Sequence, residues 1–315
     1  MNLTDALPGS TGVPDADGGS PRRPSRASRG RGPGGRRPVL AHVFLIVLIL
    51  YFALPLWWLV VGSTKSIGGL FNGAGGPLWF DDEFHLVDNV RQLFTQNGGL
   101  YWRWLGNSFL YAFSGGIGAT AFSILAGYGF AKYRFRGRNL LFSAVLGSVM
   151  VPLTALVIPT FVLLSRLHLT NTIWAVILPS LLSPFGVYLM RVYTQEAVPD
   201  ELLDAARVDG ASDLRTFLTV ALPLLRPAVV TVLLLSTVAT WNNYFLPLAV
   251  LSDTKLLPVT VGLGSWQAQS QMGAAGTQVW NLVVTGALIS IIPLIVSFLS
   301  LQRYWQGGLS LGSLK

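Results

Sequence analysis

The chain has 315 residues, of which 51% are hydrophobic and only 11% charged, against roughly one quarter charged in an average soluble domain. Its net charge is +8, and it holds no cysteine, which excludes disulfides, thiolate metal sites and cysteine nucleophiles. So large an apolar fraction with so few charges excludes an ordinary soluble domain and directs the hydrophobic surface to lipid.

Residues 1–38 are rich in Gly, Pro, Ser and Arg, with Arg22, Arg23, Arg26, Arg29, Arg31, Arg36 and Arg37 opposed only by Asp5, Asp15 and Asp17. This composition predicts a disordered, basic, cytoplasmic tail. Beside a membrane span such a segment holds orientation and touches anionic lipid, so membrane lipid is the expected partner and nucleic acid is not. The first apolar run begins too far into the chain for a secretory signal and reads as a retained anchor.

Six runs without Asp, Glu, Lys or Arg follow, at about 39–61, 105–131, 139–165, 172–190, 227–252 and 279–302. A hydrocarbon core of about 30 Å needs about 20 helical residues, and each run meets or approaches that length. Membrane strands would be about ten residues long and alternate apolar with polar, which these runs do not. Helices also satisfy their own backbone hydrogen bonds in lipid. The expected fold class is an all-α membrane protein with six transmembrane helices in a domain over 39–315. Pro152 and Pro159 in the third run, and Pro179 and Pro184 in the fourth, predict kinks.

Charge in the connections sets the orientation. Lys132, Arg134, Arg136 and Arg138 crowd the connection after the second run and mark it internal. The stretch 62–104 carries Asp81, Asp82, Glu83 and Asp88 against Lys65, Arg91 and Arg103, and 253–278 holds only Asp253 and Lys255, so both read as external. The connection 191–226 and the stretch from Arg303 onward are then internal, which places both termini in the cytoplasm.

The connection 191–226 is long, charged and patterned. Pro199 and Asp200 start a short helix, Leu202, Leu203, Ala205, Ala206 and Val208 give it an apolar set, and Gly210 stops it. Such a helix is too short to span, and Asp200, Glu201, Asp204 and Asp209 disfavour an anionic membrane surface, so it should contact protein. A second amphipathic segment, Asp213 to Leu222, leads to Pro223, and the whole projects as a helix-turn-helix between the fourth and fifth runs. Small Ala205 and Ala206 suit close seating in a groove of another subunit.

The series Asp204-Ala205-Ala206, three residues, Gly210, nine residues, Val220, Ala221, Leu222-Pro223 resembles the EAA loop of ATP-binding-cassette (ABC) import permeases, which reads Glu-Ala-Ala, three residues, Gly, nine residues, Ile, one residue, Leu-Pro. Asp204 and Val220 depart from that pattern within class. Val208-Asp209-Gly210-Ala211-Ser212 looks like the carbohydrate-uptake version of the loop. Trp241-Asn242-Asn243-Tyr244-Phe245 with Pro247-Leu248, and Gln302-Arg303-Tyr304 with Gly307-Gly308-Leu309, resemble that branch's fifth span and ending, in particular the maltose-type second permease.

The resemblance implies a multi-pass subunit of a bacterial plasma membrane that moves a neutral sugar or oligosaccharide inward by alternating access. It implies a second permease, a cytoplasmic ABC ATPase dimer and an extracytoplasmic solute-binding protein as partners. Asp204, Ala205, Ala206, Asp209, Gly210, Leu222 and Pro223 would then couple the chain to the ATPase, with the helix 200–209 as coupling helix. The sequence contains no Gly-x-x-x-x-Gly-Lys-Ser/Thr loop, so ATP and Mg²⁺ are expected on the partner, with no cofactor and no catalytic residue on this chain.

No ionisable Asp, Glu, Lys or Arg lies in the six runs, which argues against an ion-coupled secondary transporter and for a neutral solute. A polyol or glycerol phosphate is the alternative cargo. Neutral sugars are held by amides, hydroxyls and aromatic faces, and Trp241, Asn242, Asn243 and Tyr244 are candidates for that path. Equally, the two asparagines could hydrogen-bond between helices while Trp241 fills a packing gap; the sequence leaves both readings open. The outer segment 256–278 could meet the solute-binding protein. His42, His85 and His168 have no ligand spacing, so no metal is expected. A membrane enzyme is disfavoured, because no paired carboxylates, histidine cluster or nucleophile motif lies near a span.

Overall fold

The computed structural model describes residues 37–272 and 278–309. The basic tail expected over 1–38 lies almost wholly outside the described residues, as do 310–315 and the side chains of 37, 38, 301 and 303–309. All regular structure among the described residues is helical. The chain divides into two units, 1–51 and 52–315. The described part of the first is the N-terminal portion of α1 (Arg37–Ser63), an apolar helix whose only internal proline is Pro55.

The second unit takes in the end of α1, then α2 (Ile67–Asn72), α3 (Leu86–Thr95), α4 (Leu100–Lys132), α5 (Arg138–Val149), α6 (Val157–Arg166), α7 (Trp174–Ser180) and α8 (Pro184–Ala197). It continues with α9 (Asp200–Val208), α10 (Asp213–Thr216), α11 (Leu222–Leu224), α12 (Arg226–Trp241), α13 (Phe245–Val250), α14 (Val259–Gln271) and α15 (Trp280–Leu309).

Four stretches are long and apolar enough to cross a membrane: Val39–Ser63, Leu100–Lys132, Trp174–Ala197 and Trp280–Ser300. Two helix pairs qualify only jointly. Arg138–Val149 and Leu153–Arg166 meet at 101°, and Asp213–Leu224 and Arg226–Trp241 at 79°. The described chain therefore has four to six candidate spans, depending on whether each bent pair counts as one.

The prolines explain part of this. Pro152 sits in the sharp break, where its ring disfavours helix at Val151. Pro159 falls in the first turn of α6, where a missing N–H removes no helical bond. Pro184 begins α8 behind Ser183, whose Oγ accepts from the Gly186 N–H at 3.1 Å. The fourth candidate span runs on to Ala197, past the expected end at Met190. Arg191 is accommodated there because its guanidinium lies 3.6 Å from the centroid of the Phe142 ring. The fifth run is helical only to Trp241, with a break at 242–244 before α13.

α4 is the hub, packing most extensively against α8 and α12. It carries Gly115, Gly116, Ala119, Thr120, Ser123 and Gly127 as buried small residues, the pattern that lets membrane helices approach closely. A methyl group on Gly127 would stand 2.9 Å from the backbone nitrogen of Arg191 on α8. Two apolar cores flank this helix. One gathers Tyr101, Trp104, Tyr111, Trp241, Trp266 and Leu282. The other gathers Tyr128, Met190, Leu203, Phe217, Leu225 and Val232.

The segment between α1 and α3 is held by a buried polar knot. Lys65 is 2% exposed, and its Nζ donates to Asp81 Oδ1 at 2.7 Å and to the Gly76 carbonyl at 2.9 Å. Asn89 Nδ2 donates to the Ser63 and Lys65 carbonyls at 2.9 Å each, and Asn281 Nδ2 donates to Asn89 Oδ1 at 2.7 Å. The hydrogen bond from Lys65 and that from the Gly75 N–H hold the Asp81 carboxyl below its ordinary pKa. A depressed carboxylate stabilises the fold fully above its unfolded pKa of about 3.9 and loses that contribution as pH falls through the folded value. The thermal midpoint of the detergent-solubilised protein should therefore fall on acidification below about pH 4, and the Asp81→Asn variant should show a flatter profile there.

Candidate functional site

The loop after α8 is built on a capped turn. Gly210 has φ +81°, the Ala211 N–H donates to the Ala206 carbonyl at 3.0 Å, and the Gly210 N–H donates to the Arg207 carbonyl at 3.0 Å. This pair of bonds is the Schellman closure of α9, with glycine at the left-handed position. Ser212 then caps α10, its Oγ accepting from the Arg215 N–H at 3.4 Å. Arg207 ties the two helices together, contacting Asp204 Oδ1 at 3.1 Å and Asp213 Oδ1 at 3.4 Å.

The base of the loop is fixed to the bundle. Leu203, 3% exposed, plugs into the second apolar core beside Val198, Phe217 and Ala221. At the start of α9, Lys132 Nζ from the end of α4 donates to the Val198 carbonyl at 2.5 Å and to Asp200 Oδ1 at 2.6 Å. That bond holds the Asp200 carboxyl below its usual pKa. From Asp213 the chain stays helical to Leu224, with a π turn at Phe217–Ala221, and Leu222-Pro223 lies just before the 79° bend into α12.

The outward surface of the loop is unusual for one so charged. Val208 is 87% and Leu214 66% exposed, while Ala205, Asp204, Asp209 and Gly210 are exposed and Ala206 is partly covered. The sequence pointed to Asp204, Ala205, Ala206, Asp209, Gly210, Leu222 and Pro223. It did not single out Arg207, whose pairing with Asp204 is an ordinary i,i+3 contact, and it gave no sign that Lys132 meets Asp200, 68 residues away.

The structure separates the four residues 241–244. Trp241 is 5% exposed in the first apolar core, edge-on to Phe109 at 5.1 Å. Asn242 closes its own helix, Nδ2 donating to the Val238 carbonyl at 3.0 Å. The Asn243 carbonyl accepts from Thr260 Oγ1 of α14 at 3.2 Å. Of the four, Tyr244 lines a cavity of about 480 Å³ that it shares with α14 and α15.

α14 is firmly placed. From α4, Trp104 Nε1 donates to the Thr254 carbonyl at 2.7 Å, Tyr111 Oη to Leu256 at 2.8 Å, and Asn107 Nδ2 to Lys255 and Leu257 at 2.8 and 3.0 Å. Ser108 Oγ accepts from the Val259 N–H at 2.8 Å. Four side chains of one helix thus stitch down the segment that leads into α14.

Among the described residues, a helical bundle with several apolar spans carries an exposed helix-turn-helix between α8 and α12, an arrangement consistent with a membrane permease. Residues 119–310, which include the loop, match the family described as "Binding-protein-dependent transport system inner membrane component", and the chain belongs to that family. It is a multi-pass plasma-membrane permease subunit of an ABC importer and not an enzyme.

Among its relatives, the arabinooligosaccharides transport system permease protein AraQ of Halalkalibacterium halodurans is 34% identical over 88% of this chain and 98% of its own length. The AraQ protein of Bacillus subtilis is 33% identical over 87% of this chain and 94% of its own. The sn-glycerol-3-phosphate transport system permease protein UgpE of Escherichia coli K12 is 29% identical over 86% and 95%. In fold, the chain matches a chain of a bacterial ABC transporter involved in the import of the acidic polysaccharide alginate, with a TM-score of 0.72 and 22% identity over 85% of this chain and 96% of that one.

Proposed function

We propose that the chain is one of two permeases in an importer of neutral sugars or oligosaccharides, with six spans at about 39–61, 105–131, 139–165, 172–190, 227–252 and 279–302, the coupling loop 191–226 between the fourth and fifth, and both termini lying in the cytoplasm. On this reading the tail 1–38 lies inside and the domain 39–315 spans the membrane. The partners are a second permease, a cytoplasmic ABC ATPase dimer that binds ATP and Mg²⁺, and an extracytoplasmic solute-binding protein. The chain itself carries no cofactor.

The observation that supports coupling most directly is the rigid turn at Gly210, which presents Ala205, Val208 and Leu214 outward while Leu203 and Lys132 fix its base. A short helix held at both ends transmits a rigid-body displacement into the bundle. ATP-driven closure of the ATPase dimer would push α9, and the bend before α12 would pass that push on to the membrane helices. The arabinooligosaccharide relatives favour a neutral saccharide as cargo. The glycerol-3-phosphate relatives support a smaller phosphorylated solute as the second reading.

Purification of the tagged chain from its native membrane in mild detergent tests the assembly. The expected result is co-recovery of an ATPase subunit and a second permease, lost on Ala206→Arg, with the solute-binding protein encoded or recovered alongside. A chain that purifies alone and transports without ATP would overturn the proposal.

A further inference from the structure

The cavity beside Tyr244 carries an inference that rests on the saccharide reading and deepens it. Along α14 it is lined by Thr260, Leu263, Gly264, Gln267, Ala268 and Gln271, spaced so that a helix brings them to one face. Tyr244 closes one side, and Val283 and Ala287 of α15 form an apolar wall. Among the described residues, no Asp, Glu, Lys, Arg or His lines it.

Three polar side chains of this cavity are free for a ligand. Among the described residues, the amides of Gln267 and Gln271 and the hydroxyl of Tyr244 make no hydrogen bond to protein, whereas Thr260 is occupied with the Asn243 carbonyl. Glutamine offers two donors and an acceptor at the end of a flexible stem, and tyrosine offers a hydroxyl and an apolar ring face. A Cβ on Gly264 would stand 2.8 Å from the Tyr244 hydroxyl oxygen, so glycine is what lets the ring lie against this wall. A volume of about 480 Å³ is within the roughly 300–1,000 Å³ common for small-molecule sites.

We infer that this cavity is a subsite for one uncharged glycosyl unit of the transported saccharide, with the Tyr244 ring against the sugar's apolar face and the Gln267 and Gln271 amides on its hydroxyls. The neutral lining disfavours a phosphorylated or carboxylated solute, which would lose its hydration with no cation to replace it. The rigid attachment of α14 to α4 keeps these groups in place before a ligand arrives, which lowers the ordering cost of binding.

The absence of native cysteine makes the test direct. Gln267→Cys, Gln271→Cys and Gln269→Cys are introduced singly into the chain within its intact transport complex. Gln269 is exposed but lies off the cavity-facing side of α14. Maleimide labelling of this chain is timed alone, with arabino- or malto-oligosaccharides, with glycerol 3-phosphate, and with the solute-binding protein free of sugar. At about ten times its half-protecting concentration, a neutral saccharide should slow labelling at 267 and 271 about tenfold and leave 269 unchanged, since labelling tracks the unoccupied fraction.

Import of saccharide by the wild-type complex without protection at either position overturns the subsite and leaves the functional reading standing. Protection by glycerol 3-phosphate but by no neutral saccharide overturns both. Protection by sugar-free binding protein alone assigns the face to protein contact and overturns the subsite.

Discussion

Gly210→Val is expected to abolish solute uptake while the chain still inserts in the membrane at near-normal amounts. Gly210 closes α9 at φ +81°, a backbone region that costs an L-residue about 1–2 kcal/mol, and a β-branched side chain suffers most there. α9 has only nine residues, so it depends on its caps rather than on its own length. Strain at Gly210 would undo the bonds to the Ala206 and Arg207 carbonyls and splay α9 from α10, taking the exposed Ala205 and Val208 out of register. The apolar cores on either side of α4 do not involve this turn, which is why insertion should survive. Gly210→Asn is the control, since asparagine enters the left-handed region more readily, and it should keep a substantial part of the uptake. Radiolabelled uptake normalised to membrane-bound chain measures both; wild-type rates for the valine variant would remove the turn from the coupling path.

Trp104→Ala should produce the largest loss of stability. The ring is 1% exposed, stands 4.7 Å from Trp266, and donates its Nε1–H to the Thr254 carbonyl at 2.7 Å. The Gly262 backbone is packed so closely on it that a Cβ there would collide with the indole. Deleting a buried aromatic side chain of this size costs about 4 kcal/mol, the cavity included. Trp104→Phe keeps much of the volume but leaves the Thr254 carbonyl unpaired, so its loss should be intermediate. Size-exclusion profiles after stepwise heating in detergent report the midpoint; an unchanged midpoint for the alanine variant would show that α14 is held by other contacts.

Much of the fold could be read from where charge is absent. The first, second and sixth runs each fall almost end to end in one helix, the first and sixth with Pro55 and Pro293 inside them. The third and fifth needed tertiary information. Composition registers Pro152 as a kink, but the size of the bend depends on how α5 and α6 pack, which periodicity does not encode. In the fifth run, Asn242 and Asn243 count as ordinary uncharged residues, yet Asn242 turns back to cap α12 and ends it. The fourth run ends at Arg191 because a charge normally marks the lipid boundary, while α8 itself continues to Ala197 with the Arg191 guanidinium over the Phe142 ring of another helix.

The loop was more legible than the path. Gly210, Ser212 and the carboxylates announce local caps and turns, which depend on neighbours in sequence. Lys132, 68 positions before its partner Asp200, announces nothing, since that pairing exists only once α4 and α8 lie side by side. The α14 face was hidden for a similar reason. Gln267 and Gln271 sit in a Gly-, Ser- and Gln-rich segment that reads as an external loop, and only the stitching from Trp104, Asn107, Ser108 and Tyr111 makes a firm wall of it.

α4 meets both regions. Near its start it grips the segment leading to α14, and at its last residue it holds the first residue of α9. Its 33 residues contain no proline and extend about 50 Å at 1.5 Å per residue. The two helices it packs on most, α8 and α12, each follow a break or bend, so α4 serves as a continuous strut between them. A tilt imposed at Lys132 must then swing Trp104 by the leverage of that length, and the two ends keep time with each other only while the strut stays straight.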